Sequence, residues 1–484
     1  MSKRKISRRQ FLGEASCSAI GSMAFLNSVL NLGAIGTLAA RPHILSNTGD
    51  YKAMVCILLA GGIDSHNVLV PTENSEYADY VATRGSLALD RNNPAQLLPL
   101  NFNNNGKTYS VHAGMNRVRN MFNNGDLSFL ANIGTLIEPI ANKAEYDSGL
   151  KKIPLGLYSH SDQIMHWQTS VPQSRSAVGV AGRIADILYD MNTIPEISMN
   201  ISLSGKNRFQ SGNDFNEYSI KRNTTAANIG FTPFPSWWSD SGYKTAIRDE
   251  AIGSMAEQQY ANVFKQTYGT LTKQTMNSIE KFRVALQNLV PLNTAFSTSG
   301  LSQDLKKIAE VISVRSFLGA SRQIFFVTYG GWDHHDNVLG NMNNMLPALS
   351  NAMGEFNDAL HEIGMHDKVI TFTISDFART LTSNGNGSDH AWGGNQLIMG
   401  GQISGGQVFG TYPSLALTGN NMNLSTRGRI LPTTSVDELY AELALWFGVS
   451  PNDLDYVLPN LCNFYSPTCP AAVPADYMPI GLFS

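Results

Sequence analysis

Short apolar runs that close on Gly, Asp or Ser recur along this 484-residue chain, at Met54–Leu59, Leu127–Ile133, Ile197–Leu203, Ile324–Tyr329, Val369–Ile374 and Gln396–Met399. Runs of this length and apolarity read as strands buried on both faces. Between the fourth and fifth runs, Leu346, Leu349, Met353, Phe356, Leu360 and Ile363 are spaced by threes and fours, the single apolar stripe of a helix. Strand, helix and strand in that order define a βαβ unit. Leu305, Ile308, Ala309 and Ile312 form a similar stripe leading into the Ile324 run, the region 246–289 reads as helical, and Ser435 with Glu438 has the spacing of a capping box. The expected fold class is therefore α/β, a mostly parallel central sheet with helices on both faces.

Composition sets the scale. With 43% hydrophobic and 15% charged residues the chain can bury a large core, and a formal net charge of -3 gives no electrostatic reason to bind nucleic acid. The absence of a low-complexity linker favours a single domain over residues 41–484. A loop-rich insertion is expected at about 207–240, where Asn, Ser, Pro and the adjacent Trp237 and Trp238 show no period, and a Cys-containing tail at 460–484. Cys56 reads as a small buried hydrophobe; Cys462 and Cys469 are close enough to form a disulfide in an oxidising compartment.

Residues 1–40 read as an export signal. Ser7-Arg8-Arg9-Gln10-Phe11-Leu12 precedes an uncharged, weakly apolar stretch that ends in Leu38-Ala39-Ala40, the pattern of a cleavable twin-arginine signal peptide. Scattered Gly, Ser and Asn make a permanent membrane span costly, and Glu14 stands where a lipoprotein signal before Cys17 would need an aliphatic residue. The expected route is the twin-arginine translocase, and the destination is the periplasm or the extracellular space.

The chemistry-bearing residues gather where the strands end, the edge of a parallel sheet at which ligands bind. Gly61-Gly62-Ile63-Asp64-Ser65-His66-Asn67 turns on two glycines and presents a carboxylate beside a hydroxyl; a metal shared by the two would activate Ser65 as a nucleophile. Gly330-Gly331-Trp332-Asp333-His334-His335-Asp336 repeats the pattern with Asp333 and His335 as ligands. Ser375-Asp376-Phe377-Ala378-Arg379-Thr380 and Ser388-Asp389-His390 add carboxylates, an imidazole and a guanidinium that could neutralise an anionic group. Carboxylate and imidazole ligands without thiolates suit zinc or manganese, with calcium as a further candidate, and a pair of such ions suits phosphoryl or sulfuryl transfer.

These motifs, with Ser159-His160-Ser161-Asp162-Gln163 and the twin-arginine start, resemble the exported bacterial proteins of domain-of-unknown-function family 1501, within the alkaline phosphatase-like superfamily. The resemblance runs nearly the full length. It implies Asp64, Ser65 and Asp376 at a nucleophile-activating metal, and Asp333, His335 and His390 at a second. Two departures stand out: Phe377 occupies a position where superfamily hydrolases carry His, and Asp333 and His335 are closer together than the usual pair. Either one metal is weakly held, or His66, Asp336 or Asp389 completes its ligands. Ala378 and Ala391 replace residues that are usually Gly. His160, with Gln163 and His166, is a further candidate for substrate or metal. His361 and His366 read as surface residues, and His112 as structural.

The implied function is an exported metal-dependent hydrolase of phosphate or sulfate esters, attacking through Ser65, with an anionic ester, on a polysaccharide, as substrate. The competing expectation is a non-hydrolytic exported binding or surface-associated protein that keeps the fold and a partial metal site.

Overall fold

The structure is a computed structural model and describes residues 50–194, 197–215, 217–226, 229, 240–259, 262–465 and 478–483. The expected signal segment 1–40, Trp237, Trp238 and Cys469 lie outside the described residues.

Twelve strands occur among the described residues: β1 Lys52–Leu59, β2 Leu69–Pro71, β3 Leu97–Pro99, β4 Tyr109–His112, β5 Leu127–Gly134, β6 Asn200–Ser202, β7 Tyr218–Ser219, β8 Arg322–Thr328, β9 Val369–Ser375, β10 Gly394–Met399, β11 Val408–Gly410 and β12 Thr434–Ser435. Nine of them form one sheet in the order β11-β5-β10-β9-β1-β8-β6-β7, with β12 also on β5. β1 lies parallel between β8 and β9; only β10 runs antiparallel to its neighbours β5 and β9. The α/β architecture and mostly parallel sheet expected from the apolar runs are present.

The strands alternate their side chains between two apolar layers. Ala53, Val55, Ile57 and Leu59 of β1 join one layer, covered by the helices Asn116–Asn124, Gly300–Ser313 and Val338–Glu362. Met54, Cys56 and Leu58 join the other, beneath Val180–Leu188 and Val436–Phe447. Full burial of one such aliphatic side chain contributes roughly 1.5–3 kcal/mol. That is why apolar residues recur at both odd and even positions of these runs. Cys56 is buried and free, as expected. Cys462 is disulfide-bonded.

The structure refines three sequence readings. The helix Val338–Glu362 joins β8 to β9, but the two strands are not neighbours: the connection crosses β1. The run Ile197–Leu203 forms a strand only over Asn200–Ser202, and the insertion contributes the short edge strand β7 on β6. A small antiparallel sheet, β2-β4-β3, stands beside the main one; its strands of three or four residues are too short to display a period. The capping box forms as read, with Ser435 and Glu438 satisfying each other's backbone at the start of the helix Val436–Phe447. Among the described residues no helix is long and apolar enough to cross a membrane.

Candidate metal centre

Three adjacent parallel strands end level. Leu58 pairs with Thr328 and with Ile374, so the segments after β1, β8 and β9 leave the sheet side by side. Gly61 and Gly62 adopt φ of +119° and +78°, and a Cβ on Gly61 would lie 2.5 Å from the backbone nitrogen of Asp333. Glycine is required there for both conformation and approach. Arg379 then binds the loops together. Its fully buried guanidinium donates to the carbonyls of Gly61, Gly62 (2.7 Å), Trp332 (3.2 Å) and Ser388 (3.0 Å), and to Asp333 Oδ1 at 2.6 Å.

On this frame His160 Nε2, Asp333 and His390 converge, with ligand atoms all within 4.8 Å of one another. His160 opens the helix His160–Thr169, His390 lies between β9 and β10, and Asp333 follows β8. Each is held from behind. His160 Nδ1 lies 2.6 Å from Asp376 Oδ2; His390 Nδ1 lies 2.8 Å from the carbonyl of Tyr158. A carbonyl only accepts, so Nδ1 of His390 carries the proton and Nε2 presents a lone pair. Asp333 Oδ1 is bound by Arg379, while Oδ2 faces His160 Nε2 at 3.4 Å. His335 completes the group, its Nε2 2.9 Å from Asp333 Oδ1 and 3.0 Å from His390 Nε2.

The electrostatics favour a metal-ready state. Burial alone would raise the Asp333 carboxyl, but the Arg379 hydrogen bond and charge, with His335 and His160 nearby, hold it below the ordinary carboxylate range. Burial, reinforced by the neighbouring Arg379 charge, lowers His390. At neutral pH the group therefore offers an ionised carboxylate and a neutral imidazole. Asp376 is pushed up by burial, against the His160 and Gly61 hydrogen bonds.

The remaining expected site residues are not among the three converging ligands. Asp64 is buried against Arg84 in an ion pair with no side-chain exposure on either partner. Arg84 also donates to the carbonyls of Thr380 and Leu381, so Asp64 anchors a loop. Ser65 is buried, and its hydroxyl accepts from the backbone nitrogen of Asn395 at 3.0 Å. The ring nitrogens of buried His66 have no hydrogen-bond partner, and desolvation lowers its pKa to about 4. Asp336 accepts from the backbone nitrogen of Asn337 at 2.9 Å and from Asn386; Asp389 pairs with Arg427 and faces His335 Nδ1 at 3.4 Å. Asp376 gives both oxygens to protein donors, one to Gly61 N–H and one to His160.

Phe377, the residue noted as a departure from the resembled pattern, lies behind the group. Its buried ring packs against His160 and His390, with centroids 4.8 and 4.3 Å apart, as an apolar wall behind the two imidazoles. His160, distant in sequence, joins Asp333 and His390 in the group. It is a further candidate from the motif Ser159-His160-Ser161-Asp162-Gln163, and it reaches the group through the segment between β5 and the helix His160–Thr169.

The fold and the site together define an α/β protein with an imidazole–carboxylate centre at the carboxyl edge of its sheet. Residues 258–455 match the family described as "Protein of unknown function (DUF1501)", the family the motifs resemble; the match contains Asp333, His335, Asp376, Arg379 and His390. No curated protein matches the sequence. Among solved structures, Ps i-CgsB is similar at 10% identity and a TM-score of 0.32, with 84% of this chain and 72% of that one covered. The PsFucS1 sulfatase from Pseudoalteromonas sp. has 10% identity and a TM-score of 0.32 over 92% and 72% of the two chains. The lipoteichoic acid synthase LtaP from Listeria monocytogenes has 9% identity and a TM-score of 0.29 over 78% and 74%. Likeness at this level carries no argument about activity, so the functional reading rests on the residues.

Proposed function

We propose that the protein is a metal-dependent hydrolase of phosphate or sulfate esters, with its centre at His160, Asp333 and His390. The observation that carries this reading is the convergence of three ligand atoms whose partner atoms are all fixed by protein: Asp376 behind His160, Tyr158 O behind His390 and Arg379 behind Asp333. Such backing sets tautomer and orientation in metal sites. The donor set, two imidazole nitrogens and one carboxylate oxygen, fits zinc or manganese and leaves a position for substrate. A bound divalent ion supplies Lewis acidity, polarising an ester oxygen and acidifying water.

The chain's own groups divide the remaining work. Arg379 is fully buried and each of its three nitrogens already donates to a carbonyl or to Asp333, so in this reading it positions the loops and does not meet the anionic ester. The side chain of His335 is 45% exposed, against 33% for His160 and 21% for His390, which makes it the imidazole best placed to give a proton to the departing oxygen. Ser65, buried and bound to Asn395 N–H, is not used as the attacking group in this reading; water approaching from the open side is. We further place the activity outside the cytoplasm, supported by the twin-arginine pattern at Ser7–Leu12, with anionic esters of polysaccharides as the substrate class.

The test is to strip the purified full chain of metal, restore zinc or manganese, and follow hydrolysis of aryl phosphates and aryl sulfates. Metal-dependent turnover that falls at least about 100-fold in His160→Ala and His390→Ala is expected. Stoichiometric metal binding with turnover at background would establish the non-hydrolytic binding protein instead.

A further inference from the structure

On the opposite edge of the sheet from the centre described above, a second group gathers. Asp126 immediately precedes β5, His366 lies just before β9, and His361 stands in the last turn of the helix Val338–Glu362. Ligand atoms of Asp126, His361 and His366 lie within 4.8 Å of one another. We propose that these three side chains form a second metal site, specific for a zinc-like divalent transition ion, and independent of the centre at His160.

The two imidazoles stack with centroids 3.9 Å apart and planes at 20°, and a ring nitrogen of each lies within 4.8 Å of the other and of a carboxylate oxygen of Asp126. His366 Nε2 is buried, faces Asp126 Oδ1 at 3.5 Å and makes no hydrogen bond. A buried ring nitrogen without a partner is a cost that a ligand would remove. Asp126 is held with one oxygen turned to the cluster, because its Oδ2 accepts from Asn357 Nδ2 at 3.2 Å and Oδ1 is left to face the imidazoles. Asp367 Oδ1 lies 3.4 Å from His366 Nδ1 and can fix the tautomer, the carboxylate–histidine arrangement that supports metal ligands. The backbone presses on this ring as well. A Cβ on Gly401 would lie 2.5 Å from His366 Nδ1, and Gly401 N–H donates to the His366 carbonyl at 3.1 Å.

Charge and donor type narrow the occupant. Two imidazoles exclude a calcium- or magnesium-type site, which takes oxygen ligands. With a divalent ion, one carboxylate and two neutral imidazoles leave a net positive site on an exposed rim, with a fourth position open to water. Tetrahedral zinc with bonds of about 2.0–2.2 Å sets its ligand atoms about 3.4 Å apart, a closure within reach of side-chain rotation at the exposed His361. An ion here would tether the end of a 25-residue helix to the starts of β5 and β9.

The experiment measures zinc on metal-stripped, full-length protein by equilibrium dialysis and elemental analysis. The proteins are wild type, His361→Ala, His390→Ala and the His361→Ala/His390→Ala double variant. One zinc equivalent per chain is expected to disappear in His361→Ala, and His390→Ala is expected to keep that equivalent and to gain thermal stability on zinc addition. In the double variant that gain is absent. Equal zinc content and affinity in wild type and His361→Ala would overturn the proposal, as would an unchanged thermal response in the double variant. Because His361 is exposed, its truncation leaves the core intact; a matching circular-dichroism melt without metal checks this. Loss of ester hydrolysis plays no part in the test, so failure here and failure of the hydrolase reading are separately visible.

Discussion

Asp376 Oδ2 and His160 Nδ1 meet at 2.6 Å across 216 positions of sequence, while the other oxygen of the same carboxylate holds the Gly61 backbone. Asp376 therefore fixes the ring and the glycine turn together. Asp376→Asn presents an amide that can satisfy Gly61 but can leave two donors facing each other at His160. Zinc affinity and kcat/KM are each expected to fall about 10–100-fold, with partial recovery at high zinc. A variant that loses turnover while binding zinc as tightly as wild type would show that Asp376 does not act through His160.

The Arg84–Asp64 pair makes a stability prediction. Removing one partner leaves a buried charge uncompensated, which costs about 3–5 kcal/mol. Arg84→Met and Asp64→Asn should each lower the denaturant midpoint strongly, and the double variant should be less damaged than the sum of the two. Additive losses would mean that the pair is held chiefly by the Thr380 and Leu381 carbonyls.

Ser65 separates two routes of attack. Its hydroxyl accepts one backbone hydrogen bond, so Ser65→Ala should cost roughly 1 kcal/mol of stability and leave kcat within about threefold. A loss of 100-fold or more, or a covalent adduct on Ser65 seen by mass spectrometry, would restore the serine as nucleophile.

Asp437 predicts an unusual pH response. Burial raises its pKa to about 7, against hydrogen bonds from Ser435 and Ser170 and the Arg183 charge. The folded state thus binds a proton that the unfolded state has released above about pH 4. Stability from this group is greatest in acid and is lost as pH rises towards 7, with a limiting slope of roughly 1.4 kcal/mol per pH unit. Asp437→Asn should flatten that segment of the stability profile and raise the melting temperature at pH 8. A variant with the wild-type slope would assign it to another group.

The strands and the long helices were legible because burial on both faces favours apolar residues at odd and even positions alike, and because a helix of 25 residues repeats its stripe many times. The gathering of Asp333, His335 and His390 beyond the strand ends was legible because they lie in motifs that follow the apolar runs. The partnership of Asp64 with Arg84 was not, since an ion pair depends on where a helix docks and leaves no periodic trace. His160 was legible only as a further candidate through the family resemblance, since its place beside Asp333 and His390 depends on the approach of a separate helix, and the meaning of Phe377 depends on the two rings it packs against. The reversal of β10 was also hidden, because apolarity says nothing of direction.

The central position of β1 has a consequence in time. Lys52 pairs with Arg322 and Ala53 with Val369, so the middle of the sheet joins the beginning of the described chain to segments made much later. At synthesis rates of about 5–20 residues per second, Val369 follows Ala53 by roughly 15–60 s. Until Arg322–Thr328 is made the run Met54–Leu59 has neither lateral partner, and until Val369 follows it has at most one, so its open backbone is a template for wrong pairing. The nascent chain consequently needs shelter for its first strand until the last third of the protein arrives.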